Sequence, residues 1–269
     1  MKRTYVKLLT VAGLTGCFLF TSCRSAQETT ARYEISKVEG NMITIDSTWD
    51  ANPDKKATTV LKPYKDKVDA MMYEVIGTSE MKMDKGTPES LLSNLMASVL
   101  QEAAAQVLGK PADMGLVNMG GLRNILPKGD ITVGAVFEIL PFENSLCVLT
   151  MKGTDLRRLC EAIASLHGEG VSGIRLEINK KGELLNATIG GKPVVDDQLY
   201  TVATIDYLAD GNGRMDAFLQ AEKRECPEDA TLRGLFLDYV RKQTAEGNHY
   251  VEVGRTYNRK ISKKENLKI

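Results

Sequence analysis

The chain has 269 residues, with 35 basic and 35 acidic side chains, and 43% of its residues are hydrophobic. That apolar share is too high for a disordered chain, and the absence of repeats excludes a fibre. A formal net charge of zero argues against a nucleic-acid binder, which needs a basic face, and two histidines, His167 and His249, exclude a His-rich metal site.

The first residues read as an address. Lys2, Arg3 and Lys7 precede an apolar stretch, 8–20, that is shorter than the roughly 20 residues of a bilayer-spanning helix. Phe20-Thr21-Ser22-Cys23 resembles the lipobox of bacterial lipoproteins. The resemblance implies a signal peptide over 1–22, a lipid on Cys23, and attachment to the bacterial cell envelope on its periplasmic face. Leu14-Thr15-Gly16-Cys17 also fits locally, but cleavage there would leave Phe18-Leu19-Phe20 where a polar tether belongs. A plain signal peptide with an incidental Cys23 is the blander alternative. Cys147, Cys160 and Cys226 remain in the body, so at most one disulfide can form; the apolar surroundings of Cys147 and Cys160 favour buried thiols.

Residues 23–40 read as a polar tether, 41–245 as the folded domain, and 246–269 as a polar, basic, loose tail. Apolar and polar residues alternate over 41–47, which predicts a strand. Val60, Leu61, Tyr64, Val68, Met71 and Met72 place an amphipathic helix over 58–72, and a strand follows at 73–77. Thr87-Pro88 reads as a helix start, with Leu91, Leu92, Leu95, Met96, Val99 and Leu100 on one face and Gly109 as the stop. A buried strand is expected at 114–117, a loop at 118–129, a helix at 133–140 and a strand at 145–151. Thr154 is expected to cap a helix to 166, strands follow at 174–179, 184–189 and 200–205, and a last helix at 229–243. Helices and strands mix without a regular βαβ rhythm, which predicts an α+β class with helices packed on a mixed sheet.

Asn118-Met119-Gly120-Gly121-Leu122-Arg123 is the chief chemical constellation. Adjacent glycines permit unusual backbone and close ligand approach, Asn offers a donor and an acceptor, and Arg a fork of donors. By itself the motif is equally a tight turn with an Asn cap. After it come Gly129-Asp130-Ile131-Thr132, Ile139-Leu140-Pro141-Phe142-Glu143-Asn144, Lys152-Gly153, Cys160-Glu161 and Ser172-Gly173-Ile174. Tyr200-Thr201-Val202-Ala203-Thr204 and Tyr207-Leu208-Ala209-Asp210-Gly211 complete the series.

In this order the motifs resemble the C-terminal domain of the 5′-nucleotidase / UDP-sugar hydrolase family, over about 58–243. The resemblance implies a domain that holds a nucleoside or nucleotide, while a separate metallophosphoesterase domain holds two metals and cleaves phosphate. Phe142 and Tyr207 match the two aromatics that sandwich the base, Asn118 the residue that bonds the base edge, and Arg123 one that meets ribose or charged groups. Gly120 and Gly121 belong to the same loop, and Gly173 matches a glycine passing close to the ligand. The bland alternative for Phe142 and Tyr207 is core packing. Gly213 stands where the family carries an Asp for the ribose hydroxyls, with Asn212 or Asp216 as possible replacements; Pro88 and Ser98 replace an Arg and an Asp.

With two histidines this chain does not supply the metallophosphoesterase cluster. It is therefore expected to bind no cofactor and to catalyse nothing alone, with divalent metals confined to a separate metallophosphoesterase partner. Gly247-Asn248-His249-Tyr250 mimics a metal motif but lacks its Glu, and 206–216 fails the spacing of a calcium loop. Three functions stay open: the substrate-binding half of a split 5′-nucleotidase, a stand-alone nucleoside-binding lipoprotein, or a degenerate scaffold.

Overall fold

Residues 35–248 and the backbone of Asn266–Lys268 are described by the computed structural model. The expected leader, Cys23 and His249 lie outside the described residues. Two units are present, one ending at Asp54 and the other beginning at Lys55. In the first, 35–46 has no regular structure and Ser47–Ala51 forms a 3₁₀ turn, whose cap Asp46 accepts a bond from the Thr48 amide at 3.0 Å. The strand expected at 41–47 is therefore absent. Its alternating residues Met42, Ile43 and Ile45 are exposed, and an alternating run without a partner strand has no ladder to join.

The second unit opens with α1 (Lys55–Met72), an 18-residue helix with no buried residue. Its apolar stripe, Val60, Leu61, Tyr64, Val68 and Met71, is exposed, so amphipathicity here does not face a core. Lys62–Asp66 at 3.0 Å and Lys65–Asp69 are ion pairs one turn apart. β1 (Val75–Ser79) follows and pairs antiparallel with β3 (Gly129–Thr132).

The core helix is α2 (Leu91–Ala103), with Leu92, Leu95, Met96, Val99 and Leu100 buried. It starts later than Thr87-Pro88 implies: Ser90 is the cap, its hydroxyl accepting from the Ser93 amide at 3.2 Å. After a break at Ala104 comes α3 (Ala105–Leu108), closed by Gly109 in the left-handed region at φ 69°. β2 (Met114–Val117) is wholly buried beneath α2. A Cβ on Gly115 would collide with the Ala97 carbonyl, so only glycine lets helix and strand approach this closely.

The remaining elements alternate. They are α4 (Val133–Ile139), β4 (Leu146–Lys152), α5 (Gly153–Ser165), β5 (Gly170–Ser172), β6 (Ile174–Asn179), β7 (Leu184–Ile189), β8 (Lys192–Pro193) and β9 (Leu199–Ile205). Then come α6 (Asp206–Ala209), β10 (Lys223–Glu225), α7 (Leu232–Ala245) and β11 (Asn266–Lys268). A mixed five-stranded sheet runs β10-β4-β9-β2-β5, and an antiparallel one runs β11-β6-β7-β8. The α+β class holds. The N-cap of α5 is Lys152, which makes no side-chain cap bond, so Thr154 lies inside the helix and does not cap it. β11 pairs with β6, so the tail is not loose throughout: the outer edge of β6 offers backbone groups for it to pair with.

Cys147 departs from the expected buried thiol by forming a disulfide with Cys226, tying β4 to the segment after β10 across a sequence separation of 79. Closing so long a loop is worth about 2–4 kcal/mol, chiefly by restricting the unfolded chain. Cys160 is a free, buried thiol, and burial pushes its pKa up to about 12, leaving almost no thiolate at neutral pH. In the segment beyond Cys23, thiol titration should therefore find none reactive in the native state and only Cys160 after denaturation without reductant. Two further thiols appearing on denaturation would refute the pairing. Cys226→Ser should lower the unfolding free energy by about 2–4 kcal/mol in urea titration.

Candidate functional site

The register of three strands assembles the site. β4 and β9 are antiparallel, with Leu146 opposite Ile205 at one end and Lys152 opposite Leu199 at the other. The loop entering β4 and the turn leaving β9 therefore meet at one sheet edge. β2 runs parallel to β9, Met114 opposite Val202, so the chain leaving β2 emerges at the same edge. These segments carry Phe142, Tyr207 and Asn118. Together with Gly120, Gly121 and Asn144 they line a cleft of about 390 Å³. Its floor continues to the apolar Val117, Ile205 and Leu232.

Phe142 is 52% exposed and Tyr207 43%, so both rings face solvent and neither packs in the core. Asn118 follows β2 directly and leads into the 3₁₀ turn Met119–Gly121. Its Oδ1 is buried and has no hydrogen-bond partner among the described residues. Neither Gly120 nor Gly121 has a positive φ, so the glycines are not needed for backbone conformation. What they supply is space: a Cβ on Gly121 would lie 3.3 Å from Asn118 Oδ1, and one on Gly120 3.5 Å from its Nδ2.

Arg123 stands beside the cleft, outside its lining. Its Nη1 donates to the Gly120 carbonyl at 3.4 Å, and its amide to Ile139 at 2.9 Å. Gly173 is not brought to the site. β5 runs antiparallel to β2, with Gly170 opposite Val117 and Ser172 opposite Gly115, so Gly173 falls at the far end of the strand. There it adopts φ 74°, and a Cβ would strike the Asp113 carbonyl and the Gln101 side chain; glycine is required for packing. Gly213, at φ 66°, lies against the Tyr207 turn, 3.1 Å from the Leu208 side chain by its virtual Cβ. Asn212 and Asp216 are exposed and do not line the cleft.

Three residues escaped the sequence reading. Asn144 lines the cleft, and its Nδ2 donates to Asp206 Oδ1 at 3.0 Å. That oxygen also accepts from the Tyr207 amide at 2.8 Å, and the Asp206 amide donates to the Ser145 carbonyl at 2.8 Å. The turns bearing the two aromatics are thus bonded to each other. Asn144 had a signal in its place two residues after Phe142. Glu169 had none, because its contact is 50 residues away: its Oε2 accepts from the Met119 amide at 2.6 Å and so holds the Asn118 turn. Among the described residues no three His, Cys, Asp or Glu side chains converge to hold a metal ion, so no metal-dependent step is assigned to them.

Burial raises the Glu169 carboxyl above its ordinary 4.5, partly offset by the Met119 amide. Glu89 is raised too, by burial, against the opposing Asn94 bond and the Arg175 charge. A folded-state pKa above the unfolded one gives stability that is full below the unfolded value and is lost as pH rises through the folded value. Glu169→Gln keeps an acceptor for the Met119 amide and removes the ionisation. Its stability relative to wild type should therefore improve as pH rises above the ordinary carboxylate value of 4.5 in urea unfolding. A difference that stays constant with pH would refute this account of Glu169.

Endonuclease YhcR of Bacillus subtilis is 29% identical over 188 residues, covering 67% of this chain and 15% of the relative. Apyrase of Anopheles gambiae is 26% identical over 229 residues, covering 78% of this chain and 39% of the relative. The crystal structure of a 5′-nucleotidase precursor from Thermus thermophilus superposes with a TM-score of 0.62 at 24% identity, covering 76% of this chain and 42% of that one, and so shares the fold. The chain spans less than half the length of each of these proteins. The family model described as "5'-nucleotidase, C-terminal domain" matches residues 75–220, more than half of the chain, which therefore belongs to that family.

Proposed function

We propose that this chain is the nucleoside-binding half of a split 5′-nucleotidase, anchored at the bacterial envelope through a lipid on Cys23 and working with a separate metallophosphoesterase chain. The observation that carries the reading is the pairing, in one cleft, of two half-exposed aromatic rings with the unbonded Oδ1 of Asn118. An aromatic face stacks on any nucleobase and is worth roughly 1–3 kcal/mol per base. A buried acceptor without a partner calls for a donor, and the exocyclic amine of a base is one.

The six lining residues carry no charge, which suits a base and sugar better than a phosphate. The phosphate of a nucleotide would then project beyond the cleft, where the partner's metals would meet it. The relatives compared are longer proteins, of which this chain matches between 15% and 42%. In this reading no residue of this chain performs the hydrolysis; it binds and orients the substrate.

Calorimetric titration of adenosine and AMP should give similar affinities, because the phosphate makes no contact with the cleft. Phe142→Ala should weaken both by about tenfold or more, equivalent to about 1.4 kcal/mol. An unchanged affinity in the folded variant would remove Phe142 from the site. Capture from envelope membranes should recover a metal-dependent phosphoesterase; repeated failure, with nucleoside binding intact, would leave the stand-alone binding lipoprotein.

A further inference from the structure

We infer that Arg233 is a positioning residue for the cleft, fixing the backbone that presents Phe142; its effect on a ligand rests on the nucleoside reading above. Arg233 lies in the first turn of α7 and is 9% exposed. Its Nη1 donates to the Leu140 carbonyl at 3.1 Å and to the Pro141 carbonyl at 3.2 Å. Its Nη2 donates to Glu143 Oε1 at 2.7 Å. Its guanidinium carbon sits 4.2 Å from the centre of the Phe137 ring. Phe142 is therefore bracketed: the two residues before it and the one after it are all bonded to a single side chain.

Burying a cation is costly, and an apolar residue of similar size often serves a core as well or better. A buried Arg whose donors go to one loop is explained by what it does to that loop. Before Phe142 the loop is also held by the Arg123 amide on the Ile139 carbonyl and the Leu140 amide on the Val136 carbonyl, each at 2.9 Å, but neither bond reaches the Leu140 or Pro141 carbonyl. Its ends are tied by the Leu232 amide to the Asn144 carbonyl at 2.8 Å and by the Leu146 amide to the Ala230 carbonyl at 2.8 Å, but both ties lie beyond Phe142. On the near side, Arg233 supplies the bonds to Leu140 and Pro141. A half-exposed ring stacks on a base only if its backbone is held, since otherwise binding must order the loop first. Lys cannot substitute, because one ammonium cannot reproduce the planar fork that reaches both carbonyls and the carboxylate while lying over an aromatic ring.

The test uses the full-length chain, the variants Arg233→Lys and Phe142→Ala, and their combination. Hydrogen exchange should show the Leu140 and Leu146 amides, which bond the Val136 and Ala230 carbonyls at either end of the loop, losing protection in Arg233→Lys, with α2 and β9 unchanged. Adenosine affinity should fall by about tenfold in Arg233→Lys, and adding the same change to Phe142→Ala should weaken binding no further. Unchanged exchange at the Leu140 and Leu146 amides, or an equal loss of affinity with and without Phe142, would overturn the inference. If wild type binds no adenosine, the nucleoside reading fails, while the exchange result still decides whether Arg233 holds the loop. Should Arg233→Lys not fold, Phe137→Leu removes the ring under the guanidinium and should give the same local loss of protection with a smaller, about threefold, loss of affinity; no change in either measure would overturn the inference.

Discussion

The pairing of β4 with β9 is the constraint on which the site depends. Seven residue pairs, from Leu146 with Ile205 to Lys152 with Leu199, lock the two strands antiparallel. A slip of one residue would turn every side chain of one strand to the opposite face and exchange Cys147, Leu149 and Met151 with Leu146 and Val148, side chains of different shape that are buried on the two faces. It would also shift the Phe142 loop against the Tyr207 turn by about 3.4 Å. The cleft is thus a by-product of register: an entrance loop and an exit turn meet because their strands are antiparallel neighbours. β2, parallel to β9, brings Asn118 to the same edge.

Polar bonds then narrow what register leaves free. The Asn144–Asp206 bond joins the two aromatic turns, Glu169 holds the turn after Asn118, and Arg224 reaches Asp210 at 2.7 Å on the far side of the Tyr207 turn. Arg224 rides on β10, which the Cys147–Cys226 disulfide fastens to β4. Each of these groups gives up hydration to hold a backbone segment, and burial shifts Glu169 accordingly. Three buried side-chain atoms, Asn94 Oδ1, Asn118 Oδ1 and Ser172 Oγ, gain no partner among the described residues, and of the three residues Asn118 lines the cleft.

The departures from the family pattern lie at separate places in the fold, outside the cleft lining. Gly213 lies against the Tyr207 turn in a left-handed conformation and brings no carboxylate, and neither Asn212 nor Asp216 reaches the lining. Pro88, on the loop before α2, packs its carbonyl against Gly168, next to Glu169. Under the proposed function, Asn118, Phe142 and Tyr207, assigned to the base, all line the cleft, while no carboxylate assigned to the sugar does. In the proposed function the aromatic walls therefore contribute a larger share of the affinity than a ribose contact does.

The helices and strands with a strong period were legible in the sequence, because periodicity is set by local geometry. The strands at 114–117, 174–179 and 184–189, and the burial of Leu92, Leu95, Met96 and Leu100, follow from pattern alone. The residues now lining the cleft were legible largely through ordered motifs, which mark Asn118, Phe142 and Tyr207 without saying how they meet. Local pattern misled where a partner decides the outcome. The run at 41–47 alternates but pairs with no described strand, and the stripe on α1 faces solvent. Cys147 sits in an apolar strand yet bonds to Cys226. Contacts such as Met119 with Glu169, or Arg233 with the carbonyls before Phe142, join residues 50 and about 90 positions apart. No local rule constrains such pairs; only the closed sheet and the packed helix fix their distance. Sequence determined which residues belong to elements and motifs, and tertiary structure decided which of them share an edge, because strand order and direction are properties of the whole sheet.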